Sequence, residues 1–358
     1  MTTQRSTSQM SNTPLEYLGE TAKILCETGE VSPVSVAGQT LVDDHIFPIA
    51  LSPNEQLAKS SAAALSWMKE NGEKLRTVML EHGGILLRGF PLSGAAQFEE
   101  SIDAAGFEEM PYVGGAAPRE VVTQRRVLTA NESPPEQPIP FHHEMAQVPS
   151  PPSYVFFYCE IAPMDGGATP IISSHLVYRR FREIDEEFCL HLEKQGAKYV
   201  RVMPSEDDPS SPIGRSWRST FQVRAVDEAL ARLEAEDRMK QLGTTWRWLE
   251  NGDLYTQTAP VPAIRVDERT GRSTFFNSMV AAYTGWIDER NDPTQAVLCG
   301  DGSPVNGEAL LATAEMMRAE RAMFAWEKGD QLWLDNRLVM HSRQPFSGER
   351  RILAAIAP

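Results

Sequence analysis

Apolar residues in the first third of the chain recur at helical spacing. Ser52-Pro53-Asn54-Glu55 sets a capping serine, a first-turn proline and a glutamate ahead of AALSWMKENGEKLRTVML, which predicts one or two helices ending at Gly83-Gly84. ILLRGF (85–90) then reads as a buried strand and AAQFEESIDAAG as a short helix. From about residue 120 the apolar runs shorten and turn β-branched or aromatic between prolines and glycines: VVTQRRVLTA, SYVFFYCEIAP, TPIISS, PAIRVD, STFFNS, DQLWLDNRLVM and RRILAAIA. Many short strands predict a barrel or jelly roll, mainly β with flanking helices.

Helical periodicity returns in two insertions, near 227–243 and 307–326, where Met316, Met317 and Met323 read as packing residues. The stretch 201–216, RVMPSEDDPSSPIGRS, is polar and proline-rich, and is either a lid or a plain loop. No internal repeat or linker divides the chain. The expected organisation is an N-terminal extension over 1–50, its Ser/Thr-rich first part mobile, and one catalytic unit over 51–358.

Composition narrows the function classes. A hydrophobic fraction of 41% with 23% charged residues suits a globular chain with a sizeable core. A formal net charge of -15 disfavours nucleic acid and anionic membrane as partners, because both require clustered Lys and Arg. The four scattered cysteines form no C-x-x-C pair, which suits a reducing compartment. No apolar run is long enough to span a bilayer, and MTTQRSTSQMSNTP lacks a secretory core, so the expected location is cytoplasmic.

The chemistry centres on PFHHEMAQ. His142 and Glu144, two apart on an extended segment, share one face, and His143 points the other way as a packed residue. An imidazole and a carboxylate supply two ligands of a 2-His-1-carboxylate triad that leaves metal positions open. His341, at the end of a strand-like run, is the candidate third ligand, since His45, His82, His175 and His191 lack such a context. An isolated H-x-E tripeptide arises often by chance. The reading strengthens because 2-oxoglutarate, a dicarboxylate chelating iron through its 2-oxo acid end, needs a cation and a hydroxyl at its far carboxylate. Arg351 follows His341, and Thr169 lies in MDGGATPI, although GGAT also reads as a tight turn.

FHHEMAQ, GGATPI and WLDNRLVMHSRQPFSGERRIL together resemble the three motif blocks of the taurine dioxygenase and clavaminate synthase superfamily of iron(II)- and 2-oxoglutarate-dependent oxygenases. TANESPPEQPIPFHHEM and FFNSMVAAYTGWIDERNDP are similar to the clavaminate synthase-like proteins of plants and fungi. The resemblance spans roughly 80–358. It implies a double-stranded β-helix, a cupin-like jelly roll forming one catalytic domain, with iron on His142, Glu144 and His341. It also implies 2-oxoglutarate on Thr169 and Arg351, with Arg350 next in line if the alignment slips by one. The implied reaction consumes O2 and 2-oxoglutarate, releases succinate and carbon dioxide, and hydroxylates, desaturates or cyclises a small molecule. Glu144 disfavours halogenation, because halogenating relatives leave that coordination position to halide.

In taurine-oxidising members a further arginine lies four residues past the 2-oxoglutarate arginine. Ala355 at that position disfavours taurine, and glutamate rather than aspartate as metal ligand, shared with the clavaminate synthase branch, implies an amino acid or amino-acid-derived substrate. Asn131, Glu132 and Arg343 are candidate substrate contacts, each equally readable as a turn cap, a solvated carboxylate and a surface ion pair. Asp335 and Asn336 could orient His341 or form a turn, and Trp326 and Trp333 read as core aromatics. A cupin-type iron dioxygenase that uses no 2-oxo acid and a non-catalytic metal-dependent binding protein are the alternatives.

Overall fold

The computed structural model describes residues 15–130 and 133–358, so Asn131 and Glu132 lie outside the described residues. The chain is a mixture of helices and many short strands. Its largest sheet has seven strands in the order Val31–Pro33, Ile49–Pro53, Gly84–Leu87, Gln331–Asp335, Tyr154–Ile161, Arg351–Ala357 and Leu128–Thr129. A three-stranded sheet runs Ile171–Ser173, Val339–Arg343, Ile139–His142. A four-stranded sheet groups Thr245–Trp248, Leu254–Gln257, Ala197–Met203 and Val297–Cys299.

Strand alternation divides the core into layers. In the seven-stranded sheet Phe156, Tyr158, Trp333, Leu353 and Ala355 face the helices Glu20–Glu27, Ser61–His82 and Gly94–Ala104. Their neighbours Val155, Phe157, Leu332, Leu334, Ile352, Ala354 and Ile356 face the other way, packing with Ile171 and Val339 of the three-stranded sheet. Phe141, Ile172 and Met340, on the far side of that smaller sheet, join a third cluster with Val177, Phe181 and Met317 from helices beyond it. The apolar strand residues thus fill both sides of each sheet, which is why these runs read as nearly continuous hydrophobic segments.

Several expectations change on folding. Ser52 lies within the strand Ile49–Pro53, and the long helix starts at Ser61, where Ser60 accepts a hydrogen bond from the Ala63 N–H at 3.2 Å. The local capping pattern at Ser52 loses to parallel pairing of Ile49–Leu51 with Ile85–Leu87. Val31–Pro33 pairs with Ile49–Pro53 at the edge of the main sheet, because Val31, Ile49 and Leu51 have apolar side chains to bury there. The insertion at 227–243 contains the helix Glu228–Gln241, capped by Asp227. The one at 307–326 stops at Glu320, since Ala322 exchanges backbone hydrogen bonds with Ile171 and pulls the chain into extended form. No described helix is long and apolar enough to cross a membrane.

His82, at the end of the long helix, locks the N-terminal segment to the sheet. It is buried, Nδ1 donates to the Ile46 carbonyl at 2.7 Å, and Nε2 accepts from the Gly19 N–H at 2.9 Å, so the ring is neutral. Burial lowers its pKa from 6.5 to about 4. Between those values the unfolded chain binds a proton that the folded chain refuses, so stability falls as the pH drops through this window. The cost is about 1.4 kcal/mol per pH unit and roughly 3 kcal/mol at most. Urea unfolding at pH 7 and pH 5 should show a smaller loss for His82→Gln than for the unaltered protein. Equal losses would mean that His82 titrates alike in both states.

Candidate active site

The three predicted ligands meet where the small sheet faces the large one. Antiparallel pairing sets His341 directly opposite His142 on one side and Ile171 on the other. The chain leaves its strand after His142 and turns at Met145, which has a left-handed φ of 54°, and Glu144 lies between the two beside both histidines. The His142 and His341 ring centroids lie 4.3 Å apart, and His341 Nε2 is 3.6 Å from Glu144 Oε2. One ligand atom from each residue falls within 4.8 Å of the others.

This donor set fits a divalent iron. Ligands each about 2.1 Å from an ion stand about 3 to 4 Å apart, close to the spacing found. Nδ1 of His142 donates to the Pro140 carbonyl at 2.9 Å, which turns Nε2 toward the gap. Burial, reinforced by His341, lowers the His142 pKa to about 4, so its ring is neutral and able to ligate near pH 7. Burial opposes ionisation of Glu144. The Arg119 guanidinium at 2.9 Å overcomes it and holds the carboxyl well below the usual range, with both histidines assisting. Arg119 is itself buried and stacks over the Tyr112 ring at 4.4 Å. Nothing local in the sequence marked Arg119, which reaches Glu144 through tertiary packing.

The wall of the cleft contains Phe157, Thr169, Pro212, Ile213, Trp286, Ser342, Arg343, Arg350 and Ile352 besides the triad and Arg119. Its empty volume, open mouth included, is about 920 Å³. Thr169 is buried, and its hydroxyl oxygen accepts from Trp326 Nε1 at 3.1 Å and from Arg350 Nη2 at 3.4 Å. With both lone pairs engaged, the hydroxyl proton is left to donate into the cleft. Arg350 also donates from Nε to the Gly167 carbonyl at 2.8 Å.

Arg351 is not part of this wall. It is exposed and pairs with Glu160 at 2.9 Å on the helix-covered side of the large sheet. Ile352, Ala354 and Ile356 face the core between the sheets, so Arg350, on their parity, enters the cleft and Arg351 faces away. Arg343 does line the cleft, with guanidinium donors directed to the carbonyls of Ser133, Pro134 and Gln137 at 3.0, 2.7 and 2.7 Å, and this braces the loop before the metal motif. From the segment 201–216, Pro212 and Ile213 reach the cleft, while Ser211 anchors it through Asp288 at 2.8 Å.

Asp335 and Asn336 leave His341 alone. Asp335 pairs with Arg269 at 2.7 Å. Asn336 accepts from the Glu144 N–H at 2.8 Å and donates to the carbonyls of Glu144 and Pro152 at 3.1 and 2.8 Å, while its own carbonyl meets His143 Nδ1 at 2.5 Å. His143 therefore faces away from the triad, stacked on Phe276 with centroids 4.3 Å apart. Asn336 is thus a positioning residue for the Glu144 backbone. Asn336→Ala should weaken Fe(II) binding by roughly 10- to 100-fold in anaerobic titrations while the far-UV spectrum is retained, and Asn336→Asp should recover part of the loss. An unchanged affinity in Asn336→Ala would remove that role.

Comparison with known proteins agrees with this geometry. The family described as taurine catabolism dioxygenase TauD, TfdA family, matches residues 53–356. The chain is 48% identical over 314 residues to a clavaminate synthase-like protein of Arabidopsis thaliana, covering 87% of this chain and 93% of the relative. It is 27% identical over 292 residues to the dapdiamide synthesis protein DdaC of Enterobacter agglomerans, covering 78% and 83%. The solved structure of asparagine oxygenase in complex with Fe(II), 2S,3S-3-hydroxyasparagine and succinate shares its fold, with a TM-score of 0.50 at 12% identity over 86% of this chain and 93% of that one. The chain belongs to the TauD/TfdA family of dioxygenases.

Proposed function

We propose that His142, Glu144 and His341 hold the iron, that Arg350 with Thr169 holds the distal carboxylate of 2-oxoglutarate, and that the remaining cleft receives an amino acid or amino-acid-derived small molecule. The observation that supports this best is one cleft containing both the triad and an arginine–threonine pair. The two facing sheets around it are read as a double-stranded β-helix, with 51–358 as its catalytic unit. Iron(II) bound there, with O2 and 2-oxoglutarate, supplies the oxidising power, and the products are succinate, carbon dioxide and a hydroxylated, desaturated or cyclised substrate.

The protein's own residues bind, orient and exclude water. Arg350 offers a planar fork to the far carboxylate, and the Thr169 hydroxyl donates beside it. Phe157 packs edge-on against His341 with ring centroids 5.1 Å apart, and with Ile352 it forms an apolar wall. That wall limits water around the metal and fixes the imidazole plane. Arg119 keeps Glu144 ionised as a ligand. Four residues beyond Arg350 stands Ala354, so this register also leaves no further arginine where taurine-oxidising members have one. The relative named for dapdiamide synthesis supports a small-molecule metabolite as the substrate.

The decisive comparison is between neighbouring arginines. Anaerobic protein with Fe(II) and 2-oxoglutarate should develop the visible charge-transfer band of the chelate. Arg350→Ala should raise the 2-oxoglutarate concentration needed for half-saturation by about 30-fold, the loss of roughly 2 kcal/mol of charge-assisted hydrogen bonding. Arg351→Ala should leave it within about twofold, since it removes only an exposed pair. The reverse ranking would return the 2-oxoglutarate site to Arg351. Bound iron without any band in the unaltered protein would favour a 2-oxo acid-independent iron dioxygenase or a binding protein.

A further inference from the structure

Next to the first cavity lies a second, of about 500 Å³ empty volume, that shares Ala116, Gln147 and Trp286 with its wall. Its polar lining includes Arg201, Thr220, Thr244 and Thr256. Arg201 stands out by its place in the strand Ala197–Met203, where burial alternates and the inward positions are Ala197, Tyr199, Arg201 and Met203. A cation thus occupies a position that the pattern reserves for an apolar residue.

Arg201 is 5% exposed. Nη2 donates to the Arg215 carbonyl at 2.8 Å and to Thr220 Oγ1 at 3.1 Å, and the buried Nε has no hydrogen-bond partner. Among the described residues no carboxylate lies within ion-pairing distance of it. The charged groups that act on it are Arg215, Arg290 and, without a direct ion pair, Asp288; Arg215 stacks on the Tyr112 ring at 4.8 Å, the same ring that Arg119 contacts. Burial, with Arg215 acting in the same direction, depresses the Arg201 pKa to about 10. A buried guanidinium without a directly paired carboxylate is costly, and such groups are ordinarily paired.

Building on the function proposed above, we infer that this second cavity is an anion subsite in which Arg201 pairs with a carboxylate of the substrate remote from the carbon being oxidised. The substrate class is then narrowed to compounds with an acidic terminus, long enough to reach past Gln147 and Trp286 from the metal. Thr220 and Thr256 line the same cavity, and Gln147 stands on the shared wall, its Nε2 held by the Gly114 carbonyl at 3.2 Å.

The test uses acetate as probe on the anaerobic Fe(II)- and 2-oxoglutarate-saturated protein, in which the Arg350 site is already filled. Replacing chloride by acetate at constant ionic strength should raise the melting temperature of the unaltered protein by a few degrees. The rise should vanish in Arg201→Met, which keeps the stem volume without the charge, and persist in part in Arg201→Lys. The chelate's charge-transfer band should be retained in both variants. Its loss from the unaltered protein would instead strike at the 2-oxoglutarate reading. If Arg201→Met fails to fold, the comparison rests on Arg201→Lys and Arg201→Gln. Absence of the acetate-specific rise in the unaltered protein, or an equal rise without the cation, would overturn the subsite and leave Arg201 as a tie between the Arg215 carbonyl and Thr220. For any compound that stimulates succinate release, Arg201→Met should raise KM at least tenfold with kcat within about twofold, and an unchanged KM would remove the substrate's carboxylate from this cavity.

Discussion

The candidate site depends first on a strand register. Pairing Ile139–His142 with Val339–Arg343 places His142 opposite His341, although the two lie in distant parts of the chain. A slip of one residue by the strand Ile139–His142 would turn Phe141 toward the cleft and His142 toward the helices, and a slip by its partner would do the same with Met340 and His341. Apolar demand on both sides prevents this. Val339 is needed between the sheets, and Phe141, Ile172 and Met340 are needed on the far side. The metal ligands therefore inherit their positions from the packing of hydrophobic neighbours, and the sheet could not shift them without exposing its core.

Glu144 lies beyond that register, because the strand ends at His142. Its backbone is held instead by Asn336, whose side chain bridges Glu144 and Pro152 while its carbonyl receives His143. One asparagine at the end of the strand Gln331–Asp335 thus joins the metal motif to the centre of the large sheet. Charge adds a second constraint. Burial alone would favour a neutral Glu144, and the adjacent Arg119 reverses that. A bound divalent cation would share this task, so the guanidinium matters most before the metal arrives, when it keeps the acceptor oxygens ionised in a poorly solvated cleft.

An H-x-E alone is too common to carry the triad, whose grouping was legible through the resemblance of the motif blocks as well as spacing: alternation on an extended segment separates His142 and Glu144 from His143, and only His341 among the other histidines ended a strand-like run. Strand positions were legible for the same reason, as in Tyr154–Ile161 and Arg351–Ala357. Arg119 was not legible, since its partner lies 25 residues away across an irregular segment and no local pattern ties the two. Ser52 misled because local capping chemistry competes with a pairing partner more than thirty residues distant. Trp326, read as core, is buried yet also bonds Thr169, a double role that burial patterns do not reveal.

Alternation alone does not decide between Arg350 and Arg351, because Ile352 and Leu353 are both large and apolar and both faces of the last strand are buried. Tertiary packing decides it: Ile352 and Ile356 face the core between the sheets, Leu353 faces the helices, and Arg350, just ahead of the strand, lines the cleft on the side of Ile352. The turn across from it completes the argument. Gly166 and Gly167 both have left-handed φ values, 69° and 64°, which glycine adopts at little cost. A Cβ on Gly166 would lie 2.2 Å from the Pro345 carbonyl oxygen, and one on Gly167 would lie 2.9 Å from Arg350 Cδ. The double glycine therefore lets bare backbone approach the arginine stem, so that the Gly167 carbonyl can take the Nε proton and aim the rest of the fork beside Thr169. GGAT is a tight turn, as its composition says, and the tightness is what positions the cation.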